Sequence, residues 1–432
     1  MISSFTLDNE LSGIIKNIFI KEYSKNIRYI YVTDLVNPAY SIYVRNNDYK
    51  IPEEQVRILE SGGEMHEMAR SFFENMPGFM SFEETVAGKN NLKGIIGRID
   101  FVFENYIVEF KSKHAEAITI DDVKNKYIMD LEQCIFYAVM NKNDECRLVF
   151  VNDKMESYGF IVKIIKGNEI ENEMLRRYKM FDDGNGVPKC RYIQSCTLHH
   201  DKLCRCDGLD TLDYKWLDGL IDIKSFDIKV NLSNYPGISY HDLIYPRRYY
   251  HRIKNDGIVK KRAIGPSKYE NNRLFYILND AISESQFAIT PEEQRRQNKS
   301  SCLNIISNDR YIARNIYDSK FIPYIAKVNN SIYERNPPET YVKELAFECA
   351  NRNSETGYII VLYPKMNMKI LAYKYSFDLN ILKNNAKSLI DKINDALKND
   401  KPEDLDMCPE FSIDSCQFRS CSCRSEIFRN YP

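Results

Sequence analysis

The sequence predicts an α/β protein of two tandem domains, residues 1–208 and 209–432, each with a mixed central sheet, flanking helices and a cysteine-rich C-terminal element. Three observations predict this class. Strand-like apolar runs alternate with amphipathic helical patterns in both halves. Two groups of four cysteines lie about 217 positions apart, and other landmarks recur at a similar offset, as they do after a duplication. The alternative is chance similarity in a chain rich in Ile, Asn, Lys and Tyr.

Length and composition exclude several classes of protein. A chain of 432 residues suits two or three domains, and a formal charge of −1 excludes a globally basic nucleic-acid binder. With 44% hydrophobic and 28% charged residues, the chain is neither disordered nor collagen-like. It contains no apolar run of membrane-spanning length and no signal-peptide pattern, so we expect a soluble cytoplasmic protein without a membrane partner. Cysteines in that compartment are more often metal ligands than disulfides.

The predicted elements come in the same order in both halves. The segment YVTDLVNPAYSIYV, from Tyr31, aligns with ISYHDLIYPRRYYH, from Ile238, and matches Asp34 with Asp242. A helix, a β-rich middle, a second helix, two strands and an amphipathic helix follow before the cysteines. The ranges are helices 53–75 and 270–288, helices 131–140 and 341–350, strands from Arg147 and Tyr358, and a last helix with Ile381, Leu389, Ile393 and Leu397.

Residues 94–113, GIIGRIDFVFENYIVEFKSK, predict a β-hairpin with its turn at 104–105. Asp100 would lie in the first strand. Glu109 and Lys111 would share one face of the second strand, because side chains two apart point the same way. Two carboxylates beside an ammonium group can hold a divalent cation and orient a water for phosphodiester hydrolysis. An exposed hairpin edge with alternating charges is the alternative.

Two further segments extend this pattern. GGEMHEMARSFF places His66 near the start of an amphipathic helix, and DLEQCIFYAVM places Gln133 and Tyr137 on one face of a later helix. The order His, Asp, Glu-x-Lys and Gln-x-x-x-Tyr resembles the RecB-like branch of the PD-(D/E)XK nuclease superfamily. With VTDLVNPAYSIYV and the terminal cysteines, the chain is similar to the CRISPR adaptation-associated exonucleases that carry an iron–sulfur cluster.

The resemblance implies a restriction-endonuclease-like fold in each half and a Mg²⁺ or Mn²⁺ site in the first. The family's metal ligands match His66, Asp100, Glu109 and the main-chain carbonyl of Phe110. Lys111 matches the catalytic lysine. These matches assign the chemistry to the predicted hairpin and to the helix that precedes it.

Residues around the hairpin would support it. By the resemblance, Gln133 and Tyr137 lie against the active site and contact the DNA strand, and ordinary helix packing is the alternative for both. Glu83 or Glu84 would support the site from the preceding strand. As a solvated pair on a strand, these two glutamates need no functional explanation.

Each half ends in four cysteines, a number that suits an iron–sulfur cluster or tetrahedral zinc. The resembling family has a cysteine before the early proline, where this chain has Asn37 and Tyr245. The family's partition of ligands therefore does not apply. The resemblance favours a [4Fe–4S] cluster, zinc stays open, and His199 or His200 could replace a cysteine. The expected ligands are Cys190, Cys196, Cys204, Cys206, Cys408, Cys416, Cys421 and Cys423.

The second half is predicted to have lost the cation site. Aligning YIAKVNN with YIVEFKS places Lys327 at Glu109 and Asn329 at Lys111. An ammonium group repels the ion that a carboxylate binds. We therefore expect a degenerate nuclease-like domain in residues 209–432.

This second half could still bind a single strand. Between residues 245 and 273, basic side chains alternate with tyrosines, which suits phosphate contacts and base stacking. A solvated helix followed by a polar loop is the alternative. The expected DNA-binding residues are Arg247, Arg248, Tyr249 and Arg252.

Together these patterns predict a divalent-metal-dependent deoxyribonuclease in the first half, acting on single-stranded DNA or DNA ends. The resemblance implies an exonuclease of CRISPR adaptation or DNA repair, with DNA and CRISPR adaptation proteins as partners. The alternative is a non-catalytic DNA-binding or scaffold protein of such a complex, with structural metal clusters. An RNA-cleaving or RNA-binding function has no dedicated motif in its favour, and kinship of fold does not fix biology.

Overall fold

Two mixed β-sheets with helices on their faces form the described part of the chain, together with a short two-stranded ladder. The α/β class with mixed sheets and flanking helices is therefore confirmed. Both cysteine groups, at 190–206 and 408–423, lie outside the described residues. The computed structural model describes residues 2–25, 28–38, 40–42, 49–50, 65–66, 68–70, 72–113, 115–152, 154–181, 216–232, 238, 240–254, 263–264, 266–285, 312–314, 321–332 and 336–406.

Strands and helices alternate along these residues. The strands are β1 (Ile2–Asp8), β2 (Ile30–Tyr31), β3 (Tyr49–Lys50), β4 (Phe79–Ala87), β5 (Ile95–Phe103), β6 (Ile107–Lys113), β7 (Glu145–Asn152), β8 (Ser157–Ile164), β9 (Ile221–Phe226), β10 (Ala263–Ile264), β11 (Ile312–Arg314), β12 (Phe321–Val328), β13 (Thr356–Tyr363) and β14 (Lys369–Phe377). The helices are α1 (Asn9–Ser24), α2 (Val32–Val36), α3 (Ile120–Asn125), α4 (Ile128–Asn141), α5 (Gly167–Lys179), α6 (Tyr240–Ile244), α7 (Pro246–Ile253), α8 (Pro266–Ser283), α9 (Glu339–Arg352) and α10 (Leu379–Asn399). Not one of these helices is both long enough and apolar enough to cross a membrane.

The first sheet has the strand order β2-β5-β6-β7-β8-β9, and β4 also pairs with β5. Strands β6 and β7 are parallel, whereas β5–β6 and β7–β8 are antiparallel. A parallel pair needs a crossover, which α4 provides across one face of the sheet. Leu131, Ile135 and Ala138 recur at helical spacing along α4 and are buried in the same core as Leu148 and Phe150.

The predicted hairpin is confirmed by β5 and β6, which are joined at a bend over 104–105. The N–H of Phe103 donates to the carbonyl of Tyr106 across the turn, and their rings stack with centroids 4.7 Å apart. On the face away from α4, Phe73, Phe101 and Phe110 pack in an aromatic core. The hairpin is therefore packed against an aromatic core next to the predicted site.

A buried ion pair fixes α4 to α5. Arg177 donates to both carboxylate oxygens of Glu132, at 2.8 and 2.9 Å, and to the carbonyl of Leu35 at 3.0 Å. The indole N–H of Trp216 donates to the same carboxylate at 2.6 Å. Because the buried charges are paired and hydrogen-bonded, this network anchors the helix that carries Gln133.

The same order of elements recurs in the second sheet. Strand β12, helix α9, strands β13 and β14 and helix α10 repeat the order of β6, α4, β7, β8 and α5, with the same parallel and antiparallel pairings. Helices α4 and α9 both end at a left-handed residue, Lys142 and Asn353, three residues before the next strand begins. The repeated topology agrees with the predicted duplication, which stays a prediction.

The two sheets exchange their edge strands across the predicted boundary at residues 208 and 209. Strand β1, at the start of the chain, pairs with β14 of the second sheet, whereas β9 pairs with β8 of the first. Helix α1 follows β1 and buries Leu11, Ile15 and Phe19 against α8. Residues 2–24 therefore belong to the second sheet, although the division of the chain into domains stays a prediction.

Candidate active site

Three predicted site residues meet on the β5–β6 hairpin. Phe101 pairs with Val108 in this hairpin, so one more step of the register places Asp100 opposite Glu109. Glu109 and Lys111 share the face that α4 covers, as alternation along a strand requires. All three side chains are therefore held by one pair of strands in the core of the first half.

Asp100 forms an ion pair with His66, which lies on a helical stretch before β4. Nδ1 of His66 lies 3.3 Å from Oδ1 of Asp100, and the N–H of Phe110 donates to Oδ2 at 2.8 Å. Burial would raise the pKa of Asp100, but His66, Lys111 and the Phe110 N–H together lower it. Burial would likewise lower the pKa of His66, yet Asp100 raises it. Asp100 is therefore held in its ionised form.

Glu109 is completely buried, with 0% of its side chain exposed. The Lys111 ammonium pairs with Oε1 at 2.6 Å, and no other described residue donates a hydrogen bond to either oxygen of Glu109. Burial and Asp100 raise the pKa of Glu109 to about 8, although Lys111 opposes them. Burial would lower the pKa of Lys111, but Glu109, Asp100 and Asp130 raise it. A buried carboxylate without hydrogen bonds is costly unless a cation compensates for it.

Of the two glutamates that the sequence offers as supports of the site, Glu83 and Glu84, it is Glu83 that lies beside His66 and Asp100. Its backbone φ is 53°, a left-handed value that is uncommon for a non-glycine residue, and the β4–β5 register places it opposite Asp100. One ligand atom from each of His66, Glu83 and Asp100 lies within 4.8 Å of the others. On its other side, Oε2 of Glu83 lies 2.7 Å from Nη1 of Arg98. Glu84 instead accepts a hydrogen bond from a serine on the same strand.

Gln133 and Tyr137 lie together on α4, and the Gln133 amide donates to the Tyr137 hydroxyl at 3.2 Å. Burial and the nearby Glu109 raise the pKa of Tyr137, so its hydroxyl stays protonated. The ring lies directly over β5 at Gly97. A Cβ atom added there would be 2.3 Å from Tyr137 Cε1, so only glycine allows this approach.

Gly97→Ala is expected to lower the free energy of unfolding by about 1–3 kcal/mol, because the added methyl group must displace the Tyr137 ring. Gly13→Ala is the matched control. Gly13 lies inside α1 with nothing near its added Cβ, so this change should stabilise the protein by up to about 1 kcal/mol. Urea unfolding of both variants measures the difference, and equal stabilities would contradict the close approach.

The donor set fits a hard divalent cation. His66, Glu83 and Asp100 bring their ligand atoms within 4.8 Å of one another, and Glu109 offers a further buried carboxylate on the facing strand. Mg²⁺ and Mn²⁺ prefer oxygen donors, and imidazole also suits Mn²⁺. Glu109 is completely buried with the Lys111 ammonium as its ionic partner, and such an ion would add to that charge compensation.

The register of the second sheet identifies the residue that stands in place of Glu109. Glu109 lies opposite Leu148, which comes three residues after the start of β7. The equivalent residue of β13 is Ile359, and Ile325 lies opposite it. Among the described residues of the second half, the strand position of a ligand carboxylate is thus occupied by an apolar side chain.

By the same register, Lys327 takes the place of Lys111, and the predicted match of Lys111 with Asn329 is wrong by two residues. A shift of two preserves the in-and-out alternation of a strand, so the hydrophobic pattern could not reveal it. The Lys327 ammonium lies 2.9 and 2.8 Å from the two oxygens of Glu344. On α9, Glu344 takes the position of Gln133 on α4, because each lies nine positions before the left-handed residue that ends its helix. The second lysine is therefore neutralised by an internal carboxylate.

The predicted single-strand surface on α7 is partly wrong. Arg247 is buried and donates to the carbonyl of Leu405 at 2.8 Å, and Tyr249 is buried in the core between α7 and α10. Neither side chain can reach a DNA strand, because both serve packing. Arg248 is partly exposed and remains a predicted contact, and the side chain of Arg252 lies outside the described residues.

No protein-family model matches the chain, and no curated protein matches it in sequence. Similar solved structures include SSO0001, with 16% identity, a TM-score of 0.30 and coverage of 45% of this chain and 95% of the other. The alkaline exonuclease LHK-Exo from Laribacter hongkongensis shows 13% identity, a TM-score of 0.25 and coverage of 38% and 92%. Its complex with dAMP gives the same values. Likenesses this distant leave the function of this chain to be inferred from its own residues.

Proposed function

We propose that the first sheet carries the active site of a divalent-metal-dependent deoxyribonuclease acting on single-stranded DNA or DNA ends. The observation that supports it is the complete burial of Glu109, which has Lys111 as its ionic partner and accepts no hydrogen bond from any other described residue. Lys111 pairs with this carboxylate, and Asp100 on the facing strand pairs with His66. Buried acidic ligands beside a lysine are the groups that metal-assisted phosphodiester hydrolysis needs.

When bound, a divalent cation would polarise a phosphate oxygen and lower the pKa of a water molecule. Asp100, Glu109 and His66 would hold this ion. His66 keeps Asp100 ionised, and Phe110 fixes its orientation through the N–H bond of 2.8 Å. These contacts prepare the ligands before the substrate arrives.

Lys111 acts as a fixed positive charge. Its pKa is raised, so it stays protonated at neutral pH and cannot serve as a base. Its ammonium group can instead stabilise the negative charge that develops on the phosphate. Gln133 and Tyr137 border the site from α4, where the exposed part of Gln133 can contact the strand and Tyr137 positions its amide.

We further propose that the two cysteine groups bind iron–sulfur clusters or zinc, and that CRISPR adaptation proteins are partners. Support comes from cysteine spacing and from the resemblance to the RecB-like exonucleases. Iron and sulfide analysis of anaerobically purified protein tests the first proposal. Stoichiometric zinc would identify the alternative, and the absence of both would contradict it.

Lys111→Ala is expected to lower Mn²⁺-dependent cleavage of a single-stranded oligonucleotide by about 10²–10³-fold, as the loss of one preorganised charge-stabilising group does. Lys113→Ala is the control, since Lys113 lies on the same strand but pairs with Asp130 at 2.7 Å. It should retain most of the activity. A wild-type protein that binds DNA but cleaves no form of it with Mn²⁺ or Mg²⁺ would favour the scaffold alternative.

A further inference from the structure

Besides the ammonium group of Lys111, the site contains a second positively charged side chain, the guanidinium group of Arg98. Arg98 lies two residues before Asp100 on β5 and pairs with Glu83, which belongs to the group of His66, Glu83 and Asp100. Its side chain is 55% exposed, and Nη1 lies 2.7 Å from Oε2 of Glu83. Lys111, in contrast, is mostly buried beside Glu109. Arg98 is therefore the cation of this site that a large ligand can reach.

Glu83 is shared between two groups of residues. It pairs with Arg98 on one side, and on the other it completes the group with His66 and Asp100. A divalent cation among those ligands would draw negative charge from Glu83 and weaken its pairing with Arg98. Exposed ion pairs contribute little free energy, so Arg98 exchanges partners easily. A planar guanidinium binds a phosphate with two parallel hydrogen bonds.

We propose that Arg98 binds a backbone phosphate of the substrate strand, and that Glu83 couples this contact to cation binding. Without the ion, Glu83 holds Arg98; with the ion, Arg98 is free for the phosphate. This inference rests on the proposed nuclease function. It adds Arg98 as a residue that binds the DNA strand and Glu83 as a cation ligand that couples the two binding events. The unusual backbone of Glu83 places its carboxylate between both partners.

The test is the affinity of the full-length protein for a fluorescent single-stranded oligonucleotide, in EDTA and in Ca²⁺, with the strand checked for integrity. Glu83→Gln should tighten binding in EDTA about three- to five-fold, the range that an exposed ion pair supports. Arg98→Ala should weaken binding by a similar factor in Ca²⁺ and change it little in EDTA. In the double variant the gain from Glu83→Gln should vanish.

A matched pair on β9 controls for net charge. Asp222 and Lys224 are exposed and 3.2 Å apart, so Asp222→Asn removes the same charge on a strand that lies three strands from β6 in the same sheet. Binding in Ca²⁺ that is unchanged in Arg98→Ala, or tightening in Asp222→Asn equal to that in Glu83→Gln, would overturn the inference. If the wild type still cleaves with Mn²⁺, the nuclease proposal survives that result. A wild type that neither cleaves nor responds to Ca²⁺ overturns both.

Discussion

Glu109→Gln should abolish Mn²⁺-dependent cleavage, with a loss of about 10³-fold or more. The substitution removes a ligand of the cation, and with the cation goes the positive charge that stabilises the transition state. In wild type, Mn²⁺ should raise the melting temperature because it compensates the buried carboxylate. The variant should lose this stabilisation. Thermal unfolding with and without Mn²⁺ measures it alongside the cleavage assay.

The pH dependence of stability in EDTA gives a second measure of the same change. The folded-state pKa of Glu109 is about 8, above its ordinary value of 4.5, so the folded state binds the extra proton. Its contribution to the free energy of unfolding is therefore fully present below pH 4.5 and is lost as the pH rises towards 8. Glu109→Gln should remove this part of the fall in the free energy of unfolding with rising pH.

Glu145→Gln is the control for both measurements, because Glu145 lies on the adjacent strand β7 and pairs with Arg147 at 3.2 Å. It should keep both the cleavage and the Mn²⁺ stabilisation. A folded Glu109→Gln protein with near wild-type cleavage, or with an undiminished Mn²⁺ effect, would remove Glu109 from the ligand set.

Phe19→Ala should destabilise the second sheet, not the first, by about 3–5 kcal/mol, the cost of truncating a buried phenylalanine. Phe19 is completely buried between α1 and α8, although it lies in the first 25 residues of the sequence. Ile20, its neighbour on the outer face, is 46% exposed. Ile20→Ala should therefore change stability by less than about 0.5 kcal/mol.

Hydrogen exchange measured by mass spectrometry locates the effect. Phe19→Ala should lower protection in β13 and β14, whereas β6 and β7 keep theirs. Deletion of residues 2–25 should go further and leave the second sheet unfolded, because β14 then loses its edge partner and the sheet loses α1. Loss of protection confined to β6 and β7 would contradict the exchange of edge strands.

Local patterns in the sequence were sufficient to predict the hairpin and α4. The alternation in IIGRIDFVF and YIVEFKSK places Glu109 and Lys111 on one face, and the spacing of Leu131, Ile135 and Ala138 predicts a buried helix. Both signals arise within about 20 residues of chain. The meeting of Asp100 with Glu109 followed from them because a tight turn fixes the register of a hairpin.

Features set by distant contacts could not be predicted. The pairing of β1 with β14 joins residues from opposite ends of the sequence, and no local pattern encodes it. Arg247 looked like a surface residue, yet its guanidinium satisfies a main-chain carbonyl more than 150 positions away. Glu83 and Glu84 are indistinguishable by composition, and only the left-handed backbone of Glu83 separates their environments.

The exchange of edge strands also has a consequence for synthesis on the ribosome. Strand β1 is made early, but its partner β14 begins at Lys369. At about 5–20 residues per second, β1 waits for about 20–70 s before that partner emerges. During this interval Ile2, Phe5 and Leu7 lie on a strand with no sheet to join, a template for pairing with other chains. Nascent chains of this protein should therefore need a chaperone at their N-terminal segment more than at the hairpin, whose two strands emerge within seconds of each other.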